Sequence, residues 1–106
     1  MHRARADADV FRAIADPTRR AILDRLRAGP MMVNALADDF AQSRPAISKH
    51  LRVLREARLV SEQRVGRERY YQIQPAPLHQ VAGWIEGYRL FWQVNLNRLK
   101  QHVEKS

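Results

Sequence analysis

Between Ser43 and Arg55 the chain reads SRPAISKHLRVLR, hydroxyl and cationic side chains interleaved with aliphatic ones. At 100° per residue, Ile47, Leu51 and Leu54 fall together, and Pro45, Ser48, Lys49, Arg52 and Glu56 lie opposite, with Arg44 and Arg55 flanking that face. A helix of this kind is anchored by one side and offers the other to a partner. The exposed side has the chemistry of nucleic-acid recognition. Ser48 can bond a base edge or a phosphate, and Lys49 and Arg52 can bind guanine or neutralise phosphate. The N–H groups of the first turn suit a phosphate oxygen. Gln42 and Ser43 form the preceding turn, with Ser43 as cap, and Pro45 fits a first turn whose N–H groups have no intrahelical partner. His50 stands beside the apolar edge, where it packs or touches phosphate. Alone, the pattern also fits an ordinary amphipathic surface helix with solvated cations.

A second cationic group lies downstream. Val60 to Val65, Gly66-Arg67 and Glu68 to Ile73 read as a hairpin around a glycine turn, with Arg64, Arg67 and Arg69 at or near its tip. Such a tip can enter a minor groove or bind flanking phosphates. The same arginines would also keep an exposed hairpin edge soluble. The whole chain leans the same way: 106 residues carry 19 Lys and Arg against 11 Asp and Glu, a formal charge of +8. That excess points to a polyanionic partner, nucleic acid or an anionic surface.

These groups need elements to hold them. Residues 1–6 read as a loose basic arm, and Asp7 to Ala15 as a short helix carrying Val10, Phe11 and Ile14. Asp16 and Pro17 start a second helix with Ile22, Leu23 and Leu26, ended by Gly29-Pro30. Met31 to Val33 is a short extended piece. Asn34 to Phe40 is a third helix, so residues 34–57 form a helix-turn-helix, 60–73 a wing and 77–103 a long last helix. The expected architecture is one domain over residues 1–106, mainly α with a β-hairpin, in the order α-α-α-α-β-β-α: a winged helix-turn-helix.

Three segments together, ADPTRRAILDRL from Ala15, SRPAISKHLRVLREARLV from Ser43 and GRERYYQI from Gly66, resemble the ArsR (ArsR/SmtB-like) family of winged-helix repressors over nearly the whole chain. The resemblance implies a homodimer that represses transcription from a double-stranded DNA operator, its own operon included. It implies that the helix from Ser43 is the recognition helix, that Arg64 to Arg69 form the wing, and that the first and last helices form the dimer interface. One departure stands out. The family usually has glycine where this chain has Arg58; arginine in a left-handed helix cap is mildly strained, or else the turn differs.

Metal sensing, for which the family is best known, finds little support in these residues. The segment VNALADDF has no cysteine or histidine, where one family site has cysteines. His79 and His102 of the last helix are 23 residues apart, roughly 35 Å along it. The chain resembles a cysteine-free branch lacking the usual metal sites, and no metal or cofactor is expected. A metal- or small-ligand-responsive repressor is the alternative, as is a protein-interaction module that binds an acidic protein. The residues do not read as an enzyme: there is no phosphate-cradling glycine loop and no nucleophile–base pair, and Asp38-Asp39 diverge as adjacent helical residues.

The chain contains no cysteine, which removes disulfides and thiolate chemistry. It has no signal-peptide h-region and no membrane span, so the expected location is the cytoplasm. In the last helix, Val81, Trp84, Ile85, Tyr88, Phe91, Trp92, Leu96 and Leu99 fall in a sector of roughly 140°. Such an excess of apolar surface marks a partner surface, with Val10, Phe11 and Ile14 of the first helix as its companions. A ligand pocket among the aromatics is the other reading. The inducer, if one exists, is not readable from the residues.

Overall fold

The computed structural model describes residues 9–105. The arm expected at residues 1–6, and the start of the helix expected from Asp7, lie outside them. Helix α1 spans residues 9–14, followed by α2 (Pro17–Leu26), β1 (Met31–Met32), α3 (Val33–Ala37), α4 (Arg44–Glu56), β2 (Val60–Val65), β3 (Glu68–Ile73) and α5 (Leu78–Lys105). The order is that of a winged helix-turn-helix.

Two details differ from the sequence expectation. The extended piece ends at Met32, and Val33 already opens α3, which stops at Ala37 with Phe40 in a following turn. Met31 and Met32 pair with Tyr71 and Tyr70, so the hairpin gains a third strand and the sheet runs β1-β3-β2. Two residues are too short a run to show period-2 alternation, so pairing with β3 could not be read locally.

The core comes from the periodic aliphatic positions. Ile22, Leu23 and Leu26 of α2, Leu36 of α3 and Ile47, Leu51 and Leu54 of α4 close around one another, with Val10, Ala13, Ala57, Leu59 and Val60 completing the cluster. Each fully buried Leu or Ile contributes about 1.5–3 kcal/mol of transfer free energy, which locks α4 by its apolar side.

The exit from α4 is closed by a double hydrogen bond. Leu59 N–H donates to Leu54 O at 2.9 Å and Arg58 N–H to Arg55 O at 3.0 Å. This is the Schellman pattern, whose central residue is left-handed and favours glycine. Here that residue is Arg58, at φ 62°, so the expected strain is present. The turn sends Leu59 into the core and starts β2.

Leu78 and Val81 in the first turn of α5 pack on this core, and the rest of the helix runs away from it. α5 is 28 residues long, about 42 Å at the helical rise. The Cα radius of gyration is 18.4 Å, against about 13 Å for a self-contained globule of this length. No helix among the described residues is long and apolar enough to cross a membrane.

Candidate nucleic-acid interface

α4 starts where the sequence predicts. Ser43 is extended (φ -67°, ψ 158°) and its Oγ accepts from Ala46 N–H at 3.3 Å. With Ile47, Leu51 and Leu54 buried, Arg44, Pro45, Ser48, Lys49, Arg52 and Arg55 are left exposed. The preceding turn is tied down: Gln42 Nε2 donates to Thr18 Oγ1 at 2.8 Å, which joins it to the start of α2.

The hairpin turns at Gly66, whose φ of 64° occupies the first of two central positions, where a type II′ turn requires glycine. Glu62 pairs with Tyr71 and Arg64 with Arg69, so these four share one face of the sheet. That face carries the bridge to α4. Glu62 Oε2 accepts from Arg55 Nη1 at 2.6 Å, and its Oε1 lies 3.3 Å from Arg69 Nε. Exposed ion pairs add at most about 1 kcal/mol each. Their effect is placement: one carboxylate holds the wing at a set distance from the helix and balances two cations. Among the described residues, no ion pair engages Arg44, Lys49, Arg52, Arg64 or Arg67.

Ser48 and Arg69 line two adjoining grooves between helix and wing. One, of about 380 Å³, extends to Arg44 and Arg67; the other, of about 250 Å³, extends to Arg52 and Arg55. Five sequence-predicted residues, Arg44, Ser48, Arg52, Arg67 and Arg69, therefore surround one concave surface. Pro45 and Lys49 stand on the outer face of α4. Arg64, paired opposite Arg69, lines a third and more open hollow with Arg55, Arg58 and Gln74. His50 is half-buried, and its Nδ1 is 3.3 Å from Arg19 Nη1. Tyr70 O–H donates to Glu68 Oε2 at 2.7 Å, and that carboxylate pushes the phenol pKa up.

Sequence reading missed Glu62, Arg19 and Thr18. Glu62 carried a signal: it is the one acid of β2, between the Arg55 end of α4 and the arginines of the wing. Arg19 and Thr18 act across more than 20 residues on Gln42 and His50, and no local pattern announces that. Asp16 is the N-cap the sequence predicts, accepting from Thr18 N–H at 2.8 Å and Arg19 N–H at 3.1 Å. The Arg19 N–H bond, opposed by partial desolvation and aided by Thr18, holds its carboxyl below the usual carboxylate range. Of the Asp38-Asp39 pair, Asp39 forms an ion pair with Arg25 of α2.

The expected interface residues divide into two groups. Val10, expected at an interface, is instead enclosed in the chain's own core at 2 % exposure, because α1 turns its Val10–Ala13 side inward. Ile14 and Val81 pack partly on that core. By contrast Trp84, Ile85, Tyr88, Phe91, Trp92, Leu96 and Leu99 stay open, from 39 % at Ile85 to 64 % at Leu96. Phe11, Trp84, Tyr88 and Trp92 form an aromatic ladder with ring centroids 5.7, 5.1 and 6.1 Å apart. Among the described residues no three His, Asp or Glu side chains are grouped to hold a metal ion.

Known proteins share this arrangement. A family described as a helix-turn-helix domain matches residues 14–63. The HTH-type transcriptional regulator Rv2034 of Mycobacterium tuberculosis is 47% identical over 78 residues, 74% of this chain and 73% of that protein. The transcriptional repressor SdpR of Bacillus subtilis is 42% identical over 77 residues, 73% of this chain and 86% of that one. An ArsR-like transcriptional regulator from Rhodococcus sp. RHA1 superposes with a TM-score of 0.73 at 35% identity, over 95% of both chains.

Proposed function

We propose, on the premise that this chain belongs to the ArsR family of winged helix-turn-helix transcriptional repressors, that α4 lies in the major groove of an operator while the β2–β3 wing engages the flanking minor groove or phosphates. The chain is a DNA-binding regulator and not an enzyme. The observation that carries the placement is the concave surface shared by Arg44, Ser48 and Arg52 of α4 and Arg67 and Arg69 of the wing. Ser48, Lys49 and Arg52 read base edges. Ser43, Arg44 and Pro45 bring the α4 N-terminus to a phosphate, with Gln42 fixing the turn behind them. Arg64, Arg67 and Arg69 supply the wing's charge.

The exposed aromatic face of α5, with Phe11 and Ile14, supports a homodimer. A second copy placing its own α5 there would cover the ladder and set two recognition helices about 34–36 Å apart, one turn of B-DNA. The repressor acts in the cytoplasm and without a classical metal site, since α3 has no cysteine or histidine and the α5 histidines stand at opposite ends of the helix.

The test is fluorescence anisotropy on DNA from upstream of the protein's own gene and on scrambled DNA of the same length. Ser48→Ala and Arg52→Ala each weaken binding to the selected sequence by roughly 5- to 150-fold, the cost of about 1–3 kcal/mol for a lost base contact. Unchanged affinity in both variants, with circular dichroism showing intact folds, refutes the placement of α4.

A further inference from the structure

We infer that Arg19 and His50 form the positioning link that sets the recognition helix against the N-terminal helix, a guanidinium on α2 donating at once to the end of α1 and to the α4 imidazole. The inference rests on the placement of α4 in the major groove.

The last carbonyls of a helix have no partner inside it. For α1 two consecutive arginines of α2 supply partners. Arg20 Nη1 donates to Ile14 O at 2.8 Å and to Ala15 O at 3.2 Å. Arg19 Nε donates to Ala13 O at 2.6 Å and its Nη2 to Arg12 O at 3.2 Å. Capping alone would end there, as it does for Arg20. Arg19 has one nitrogen left, and Nη1 meets His50 Nδ1 at 3.3 Å. One rigid planar fork thus touches α1 and α4 while rooted on α2. Lysine has no such geometry.

The contact also fixes the state of the ring. A guanidinium only donates, so Nδ1 must accept and the proton of a neutral imidazole must sit on Nε2. In this pose the ring turns its lone pair to the protein and offers only an Nε2–H donor to the outside. The link continues through α1, where the Phe11 ring meets Trp84 edge-on, so the face proposed for dimerisation and the helix proposed for DNA are joined by packed groups. A change in the angle between α1 and α4 changes the separation of two recognition helices in a dimer.

Protonation breaks the link. An imidazolium has no acceptor at Nδ1 and stands against a cation. The charged groups facing His50 are Arg19 and, at the start of α2, Asp16, whose carboxylate attracts the imidazolium away from the guanidinium. α1 presents the Arg12 and Ala13 carbonyls already held by Arg19, and further along the same seam the charged side chains of Asp9 and Arg12 stand with Glu56 around Val53. One turn away on α4 itself are the uncharged Ala46, Val53 and Leu54. Operator binding therefore weakens wherever acidification charges the ring, and the test spans about pH 8 to 5. A histidine that bonded phosphate directly would give the opposite sign.

The experiment uses the full chain and a duplex selected from a randomised pool by the wild-type protein, with a scrambled duplex as reference, titrated by anisotropy across that pH range at constant salt. His50→Leu removes the acceptor at similar size and lowers affinity for the selected duplex on the order of tenfold at the alkaline end. His50→Asn restores an untitratable acceptor where Nδ1 stood and recovers most of that loss. Wild type then falls toward His50→Leu at the acid end while His50→Asn does not. Arg19→Lys keeps the charge, loses the fork and behaves as His50→Leu; should it fail to fold, the two His50 variants carry the test alone. Wild-type binding that strengthens on acidification, a pH profile shared by wild type and His50→Asn, or an equal loss on scrambled DNA each overturns the link. Ser48→Ala and Arg52→Ala are run alongside. If they weaken binding and the His50 profile is absent, only the link fails; if they too are silent, the placement of α4 fails.

Discussion

Replacing Arg58 with glycine isolates the one strained backbone position among the non-glycine described residues. Its φ of 62° is imposed by the turn that carries Leu59 into the core, and the two hydrogen bonds to Leu54 O and Arg55 O fix it there. An L-residue in this region costs about 1–2 kcal/mol. Glycine removes that cost but gives the unfolded chain more freedom, an offset of about 0.5–1 kcal/mol. The net gain for Arg58→Gly is therefore about 0.5–1 kcal/mol, which raises the melting temperature by roughly 3–6 °C for a domain of this size. Arg58→Ala is the control. It keeps Cβ and the strain, and leaves stability within about 0.5 kcal/mol of wild type. Thermal unfolding by circular dichroism, at one fixed protein concentration because association shifts the midpoint, reads both. A glycine variant no more stable than the alanine variant refutes the strain argument. Arg58 also lines the hollow beside Arg55 and Arg64. If that hollow meets phosphate, both variants lose about one unit of salt slope. The two effects separate cleanly: strain follows the backbone and differs between glycine and alanine, and phosphate binding follows charge and is shared.

Trp84→Ala and Trp92→Ala each remove a rung of the exposed aromatic ladder and shift the protein from dimer toward monomer in sedimentation velocity at micromolar concentration; wholly dimeric variants would disprove the interface. Asp16→Asn keeps the capping acceptor but cannot titrate. Because the folded carboxyl is held below its ordinary value, its stabilising effect is complete above about pH 4 and is lost as the pH falls through the lowered folded value. Acid unfolding of Asp16→Asn is accordingly less steep than that of wild type, and identical acid profiles would show that the cap's charge contributes nothing.

The elements were legible where a period or a cap marked them. The aliphatic spacing of α4 placed Ile47, Leu51 and Leu54 inward, and Ser43 and Asp16 cap the helices they precede. The hairpin limits Val60–Val65 and Glu68–Ile73 follow from β-branched and aromatic residues on either side of Gly66. What stayed hidden is non-local. Val10 has the same helical spacing as Phe11 and Ile14, and only packing against the rest of the core shows that it faces inward. β1 exists because Tyr70 and Tyr71 present an edge to it. Arg64, Arg67 and Arg69 look alike in sequence, yet Glu62 engages Arg69, and Arg64 belongs to a different hollow from the other two.

The salt dependence of operator binding connects these features. In one lobe the cations outside any ion pair on α4 and the wing are Arg44, Lys49, Arg52, Arg64 and Arg67. If each neutralises one phosphate, the logarithm of affinity falls with the logarithm of salt at a slope of about −4.5; two lobes on one duplex give about −9. A single winged-helix module buries only about 600–1,000 Å² of its surface on DNA, and a slope of −4.5 leaves such a module weak at physiological salt. Two modules joined through α5, as proposed, would act with a high effective concentration for each other. In the proposed dimer the exposed face of α5 and the cationic face of α4 are thus two requirements of one activity. A measured slope near the single-lobe value, from protein that sediments as a dimer, would mean that only one recognition helix engages at a time, and the spacing set through α1 and Arg19 would then have no operator to match.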